Sequence, residues 1–260
     1  MNTALTEQAA SLAIESAARA LHLPTVRQQA DSMAEEALRD RVSHLAFLAE
    51  LLTAELEDRN ARRRERRIRE ARFPRLKQLA DFDLSAAPTV DPTLLTALER
   101  GDWIDAAEPV VLLGDSGTGK SHLLIGLGIA ACQRGLRVRY TTAAALVNEL
   151  AEAADERQLS RLVARYGRLD LLCLDELNYV HLDPRGAELL FQVLTEREER
   201  ASVAVASDAP FSEWGQTFDD PRLAAAVVDR LTFRAHIIET GSDSYRLRLS
   251  ESAKGGAPQT

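Results

Sequence analysis

Two hydrophobic periods divide the chain. Up to residue 73 the apolar positions recur at helical spacing: Leu45, Leu48, Leu52 and Leu56 fall on one helical face, with Ser43 set as an N-cap. From Thr3 to Phe73 glycine is absent, Pro24 is the only proline, and Ala, Leu, Glu and Arg dominate, which predicts helix nearly throughout. The last helix is expected to run into an arginine-rich stretch and to stop before Pro74, because a residue preceding proline avoids the α region. Residues 74–109, with Pro88 and Pro92 inside, read as a connecting arm.

From Val110 onward the pattern changes. Short apolar runs at Val110–Leu113, Arg137–Thr141, Asp170–Leu174, Ser202–Ser207 and Ala235–Glu239 predict five strands. Helical stretches are predicted near Lys120–Arg134, Ala143–Tyr166, Gly186–Arg200 and Pro221–Phe233. Such alternation implies crossover connections and a mostly parallel sheet covered on both faces. The expected organisation is an all-helical domain over residues 1–72, an α/β domain over 73–250 and a tail over 251–260.

Composition adds limits. Hydrophobic residues at 45% and charged residues at 28% are ordinary for a globular protein. No apolar run reaches membrane-spanning length and no signal peptide is readable at the polar start, so no membrane partner and a cytoplasmic location are expected. Cys132 and Cys173 both sit inside apolar segments, which favours buried, reduced thiols over a disulfide framework. His22, His44, His122, His181 and His236 show no metal-ligand spacing, and Trp103 and Trp214 read as packing residues. A net charge of −8 argues against a polyanion partner, yet residues 59–77 hold ten Arg or Lys against Glu65 and Glu70.

The chemistry begins where the first strand ends. Val110-Val111-Leu112-Leu113 leads into Gly114-Asp115-Ser116-Gly117-Thr118-Gly119-Lys120-Ser121, followed by helix-compatible residues from His122. The three glycines let the backbone curl so that successive amides face one anion, and the helix start adds its positive end. Lys120 would reach the β- and γ-phosphates of ATP, and Ser121 would ligate Mg²⁺. Chance makes such a match on the order of one in a hundred for this length, and the strand and helix on either side lower that further. The third strand ends in Asp175-Glu176. At the carboxyl edge of a sheet, Asp175 would hold the Mg²⁺ water shell and Glu176 would act as general base toward water. A carboxylate beside the attacking water favours hydrolysis over transfer to a metabolic acceptor.

Arg59, Arg62, Arg66 and Arg69 share one helical face, with Arg63 and Arg67 beside them. Such a face can neutralise phosphates along double-stranded DNA; the competing reading is a solvated arginine helix that contacts acidic neighbours. The absence of aromatic residues between Arg59 and Arg72 gives no support to stacking on single-stranded bases.

Several segments together resemble a known family. Leu169 to Leu177, Gly186 to Gln192, Pro210-Phe211-Ser212-Glu213-Trp214, Leu223 to Leu231 and Ser244-Tyr245-Arg246-Leu247 are similar to IstB-like proteins, as are Arg72-Phe73-Pro74 and Asp81-Phe82-Asp83. These are ATP-binding helpers of insertion-sequence transposition. The resemblance implies an AAA+ P-loop NTPase related to DnaC-type helicase loaders and DnaA initiators. It implies ATP-dependent oligomers on duplex DNA and a partner transposase. It makes Arg230 an arginine finger for a neighbouring subunit, where the residues alone favour a surface arginine paired with Asp229 or Asp219. It sets Asp208 at a sensor position where the family usually has Asn, with Ser207 as the other holder of that role. Asp208 thereby joins the nucleotide-contact set, and Phe82 and Asp83 are drawn toward the adenine; His122 is placed in the set because it adjoins Ser121, the competing reading being a residue that only fills the first turn of the helix. With about twenty residues after the fifth strand, a very short or missing lid is expected, with Arg246 a candidate for a second sensor. A helicase loader and a nucleotide-dependent assembly switch with little hydrolysis remain the alternatives.

Overall fold

The computed structural model describes residues 6–179, 182–218, 220–242 and 244–245; His181, Asp219, Arg246 and the tail lie outside them. Two compact units are present, Met1–Glu65 and Arg66–Thr260.

The first unit holds α1 (Glu7–Ala20), α2 (Pro24–Arg39) and the beginning of α3 (His44–Ala71). Ala18, Val26, Ala30 and Leu51 form its small core. Ser43 caps α3 as expected, accepting from the amide of Ala46. The leucine stripe at 45, 48, 52 and 56 is exposed; the inward face of α3 carries Leu51 and the buried carboxylate of Glu55. That carboxylate accepts hydrogen bonds from Thr25 N and Val26 N at 2.8 and 3.2 Å, capping the otherwise unpaired amides that open α2. A buried acid satisfied by two amides looks, in sequence, like any surface glutamate.

The second unit is a three-layer α/β structure. The arm before the sheet is more ordered than its prolines suggested, with α4 (Pro92–Arg100) and α5 (Asp102–Asp105) inside it. Asp91 caps α4, Pro92 opens it, and Gly101 closes it at φ 81°, so the start and stop signals were present in the sequence. The chain continues through β1 (Val110–Leu113), α6 (Lys120–Gln133), β2 (Val138–Thr142), α7 (Ala143–Asp155), α8 (Leu159–Gly167), β3 (Leu171–Asp175), α9 (Pro184–Arg197), β4 (Ser202–Ser207), α10 (Trp214–Phe218), α11 (Pro221–Thr232) and β5 (His236–Glu239). The helix expected over 143–166 is two helices, α7 and α8, with Arg157 between them in the left-handed region.

All pairings are parallel, in the order β2-β3-β4-β1-β5. Alternate residues feed opposite cores. Val110, Leu112, Leu171, Cys173, Ala204 and Ala206 pack with α4 and α6, while Val111, Leu113, Leu172, Leu174, Val203 and Val205 pack with α7, α9 and α11. Both cysteines are free and buried, and Trp103 and Trp214 are buried with their indole N–H groups bonded to Leu98 O and Ala209 O. Because β4 inserts between β1 and β3, the residues that follow it fall between the loop after β1 and the acids ending β3.

Candidate nucleotide site

The loop after β1 is built by glycines in conformations other residues resist. Gly117 and Gly119 have φ of 85° and 104°, and Gly114 has φ of 147°. A Cβ on Gly114 would strike Thr240, and one on Gly119 would strike the ring of Phe82. The loop is anchored to the exit of β5: Asp115 N donates to Gly241 O at 3.0 Å, Tyr245 N to Gly117 O at 3.1 Å, and the Thr118 and Thr240 hydroxyls lie 2.6 Å apart. Ser116 is exposed, and Ser121 and His122 are half-buried in the first turn of α6. His122 bonds Gln78 O at 2.8 Å and meets the edge of Phe82, so the arm lies beside this helix start. Asp83 caps a short 3-10 turn through Ser85 N.

Lys120 is only 5% exposed. Its Nζ donates to Asp115 O at 2.7 Å and lies 2.6 Å from Asp208 Oδ1. The lysine thus folds back across its own loop and is neutralised by the residue just beyond β4. Ser207 faces elsewhere: its buried hydroxyl sits 2.6 Å from Asn178 Oδ1 and 2.7 Å from Ala209 O and accepts from Ala209 N. It ties the loops after β3 and β4 together.

Asp175, buried at the end of β3, has both oxygens engaged: Oδ1 accepts from Glu176 N at 2.9 Å and Oδ2 from the Tyr140 hydroxyl at 2.5 Å. Burial first, then this bond, pushes the Tyr140 phenol far above its usual range, so Tyr140 is a neutral donor. Tyr140 lies on β2, opposite Cys173 in register, and no local motif marks it. Glu176 is exposed and sits at φ 57°. The other non-glycine residues at positive φ among those described all follow helices; Glu176 alone leaves a strand this way. The conformation costs about 1 kcal/mol or more and turns the chain sharply out of the sheet beside the loop.

Arg230 stands apart from this edge. It belongs to the last turn of α11 and lines a cleft of about 260 Å³ with Pro109, Arg197, Glu198 and Val203, at the end where β1 and β4 begin. Its Nε is 3.1 Å from Glu198 Oε2, an ion-pair contact without hydrogen-bond alignment, so its partner is Glu198 rather than Asp229. Four-residue β1 spans roughly 13 Å at about 3.3 Å per residue, which separates Arg230 from its own phosphate loop by more than its side chain reaches.

Along α3 the arginines differ. Arg59 bonds His22 O at 3.0 Å and Arg62 pairs with Asp58 at 3.0 Å. Arg66 lies 3.9 Å from Glu70, and Arg67 is partly buried, donating to Gly135 O at 3.2 Å and pairing with Glu70. Arg62, Arg63, Arg66 and Arg69 are exposed. Among the described residues no cluster of His, Cys, Asp and Glu could hold a metal by itself, and no helix is long and apolar enough to cross a membrane.

A glycine-built phosphate loop and an acid pair at the carboxyl ends of β1 and β3, with β4 between them, define a P-loop NTPase fold of the AAA+ type. Solved structures agree on the fold. AMPPCP-bound DnaA from Aquifex aeolicus aligns with TM-score 0.55 and 20% identity over 71% of this chain and 56% of that one. DnaI aligns with TM-score 0.53 and 17% identity, over 63% and 90%. Sequence is more specific. Residues 16–253 match the IstB-like ATP binding protein family, and the chain belongs to it. A Sinorhizobium fredii protein bearing the name of an insertion-sequence ATP-binding protein is 37% identical over 90% of this chain and 79% of its own length. The corresponding IS5376 protein of Geobacillus stearothermophilus is 37% identical over 88% and 91%, and the IS21 protein of Pseudomonas aeruginosa 33% over 86% and 84%. ATP is therefore the nucleotide this chain binds.

Proposed function

We propose that this protein hydrolyses ATP in assemblies formed on duplex DNA, and that it serves as the helper of a transposase in target-DNA selection and delivery. The observation that carries the ATP chemistry is the placement of Lys120, Asp208 and Asp175 at the carboxyl ends of three neighbouring strands, with Lys120 and Asp208 in contact. The insertion-sequence names of the relatives support the transposase setting.

In this reading the loop amides and Lys120 bind and orient the β- and γ-phosphates. The Ser121 hydroxyl and Asp175 carboxylate are hard oxygen donors of the kind Mg²⁺ selects, and Asp175 is held for that task by Tyr140 and the Glu176 amide. When bound, the metal supplies charge neutralisation at the phosphates. Glu176 takes the proton of the attacking water. Arg230 acts on the nucleotide of a neighbouring subunit, which fits its place at the far end of the strands and makes turnover depend on assembly. The exposed arginines of α3 contact DNA phosphates.

A second reading is favoured by one contact. With Lys120 neutralised by Asp208, the chain could act as a nucleotide-dependent assembly switch with little turnover. ATP hydrolysis with and without duplex DNA, on the wild type and on Glu176→Gln, with light scattering, separates them. DNA-stimulated turnover that Glu176→Gln abolishes while assemblies persist supports the first reading. Assembly without turnover in the wild type supports the switch, and neither activity would sink both.

A further inference from the structure

Arg230 is held more tightly than a surface arginine needs to be. Its guanidinium carbon lies 4.3 Å from the ring centroid of Phe191, inside the range for a cation–π contact. Nε faces Glu198 at 3.1 Å, and Nη1 donates back to Ala226 O at 3.2 Å. The side chain is 22% exposed. Phe191 lies in the body of α9 and Glu198 is its C-cap, so two fixed points on one helix constrain the tip of a side chain from α11. Nη2 has no partner among the described residues. Nε and Nη1 are therefore engaged, and the two N–H groups of Nη2 are left to an incoming anion. A free arginine carries rotamer entropy that is lost whenever it is fixed at an interface; here most of it is lost on folding.

We propose that Phe191 and Glu198 are positioning residues for Arg230, presenting its free Nη2 amino group to the phosphate bound by a second copy of this chain. The proposal rests on the reading of Arg230 as a finger acting in trans. An ordinary exposed ion pair would contribute little to stability and nothing to a neighbour's turnover.

The test mixes two forms of the full chain on duplex DNA with ATP. The donor carries Glu176→Gln, so it offers a finger but has no working site. The acceptor carries Arg230→Ala, so it has a site but no finger. Restored turnover in the mixture establishes action in trans; no restoration means the finger reading itself is wrong. Phe191→Leu or Glu198→Ala is then added to the donor. Turnover of the mixture at saturating donor is expected to fall on the order of tenfold, as a misplaced catalytic group would give. Nucleotide affinity and light scattering of the donor should not change, and Phe191→Tyr in the donor should restore turnover, because the aromatic face returns. Placed in the acceptor, whose finger is already gone, the same substitutions act only on structure. Equal losses in donor and acceptor, or no loss in the donor while the unmodified pair still complements, would overturn the proposal. A gain in the donor would also overturn it, by showing that Glu198 restrains the finger.

Discussion

Lys120 Nζ lies 2.6 Å from Asp208 Oδ1, so the phosphate-loop lysine already has a counter-ion within the chain. A γ-phosphate entering the loop must take the lysine from that carboxylate and then tolerate its charge nearby. Asp208→Asn keeps the side-chain shape and removes the charge. We expect ATP to bind Asp208→Asn on the order of tenfold more tightly, by titration with a fluorescent analogue, since about 1.4 kcal/mol of competition is removed. Weaker binding would mean that Asp208 holds the lysine in its working pose instead.

Tyr140 and Asp175 form a second pair that the mechanism depends on. Tyr140→Phe leaves Asp175 Oδ2 without its donor and its carboxylate free to rotate. The expected result is a several-fold higher Mg²⁺ requirement for tight ATP binding, with binding in excess chelator unchanged. An unchanged Mg²⁺ titration would show that the Glu176 amide suffices to hold Asp175.

Arg197 is a stability determinant without a catalytic part. Arg197 is 1% exposed, and its guanidinium bonds the carbonyls of Tyr166, Leu169 and Ser202 at 2.5, 3.0 and 2.6 Å, joining α8 to the start of β4. Burial lowers its pKa to about 10, still charged at neutral pH. Arg197→Met strands those buried carbonyls and should cost about 3 kcal/mol or more, read as a lower urea midpoint.

Stability should also fall in alkali. Burial pushes the Cys132 thiol from 9.0 to about 12 and raises Cys173 and Tyr140 as well. An acid whose pKa rises on folding stabilises fully below its unfolded pKa, and that contribution is lost as pH climbs toward the folded value. The urea midpoint should therefore drop between about pH 9 and 12, and less so in Cys132→Ala. A flat profile would place both thiols in contact with solvent.

Glu55 offers a check on the helical unit. Glu55→Ala removes the acceptor for Thr25 N and Val26 N and should destabilise the α2 start by about 1–2 kcal/mol. Loss of helical circular dichroism at lower urea, with ATP binding retained, is the expected signature.

The sequence by itself determined what depends on local order. Strands at 110–113 and 202–207 were legible to the residue because a short apolar run has few ways to be buried. The phosphate loop was legible because only glycine accepts its backbone, and the acid pair because it follows a buried strand. The α4 helix was missed although its Asp-Pro start and Gly101 stop were in view, since the surrounding prolines outweighed them. Which side chains meet across strands and helices was decided only by tertiary structure. Nothing near residue 140 in sequence points to residue 175, nor 198 and 191 to 230, and residue 208 was drawn toward the phosphate site by family resemblance and not by local pattern. Those pairs exist because β4 inserts between β1 and β3, because β2 runs in register beside β3, and because α9 and α11 share one face of the sheet. Strand order is a property of long-range packing, and local hydrophobic periodicity carries no record of it.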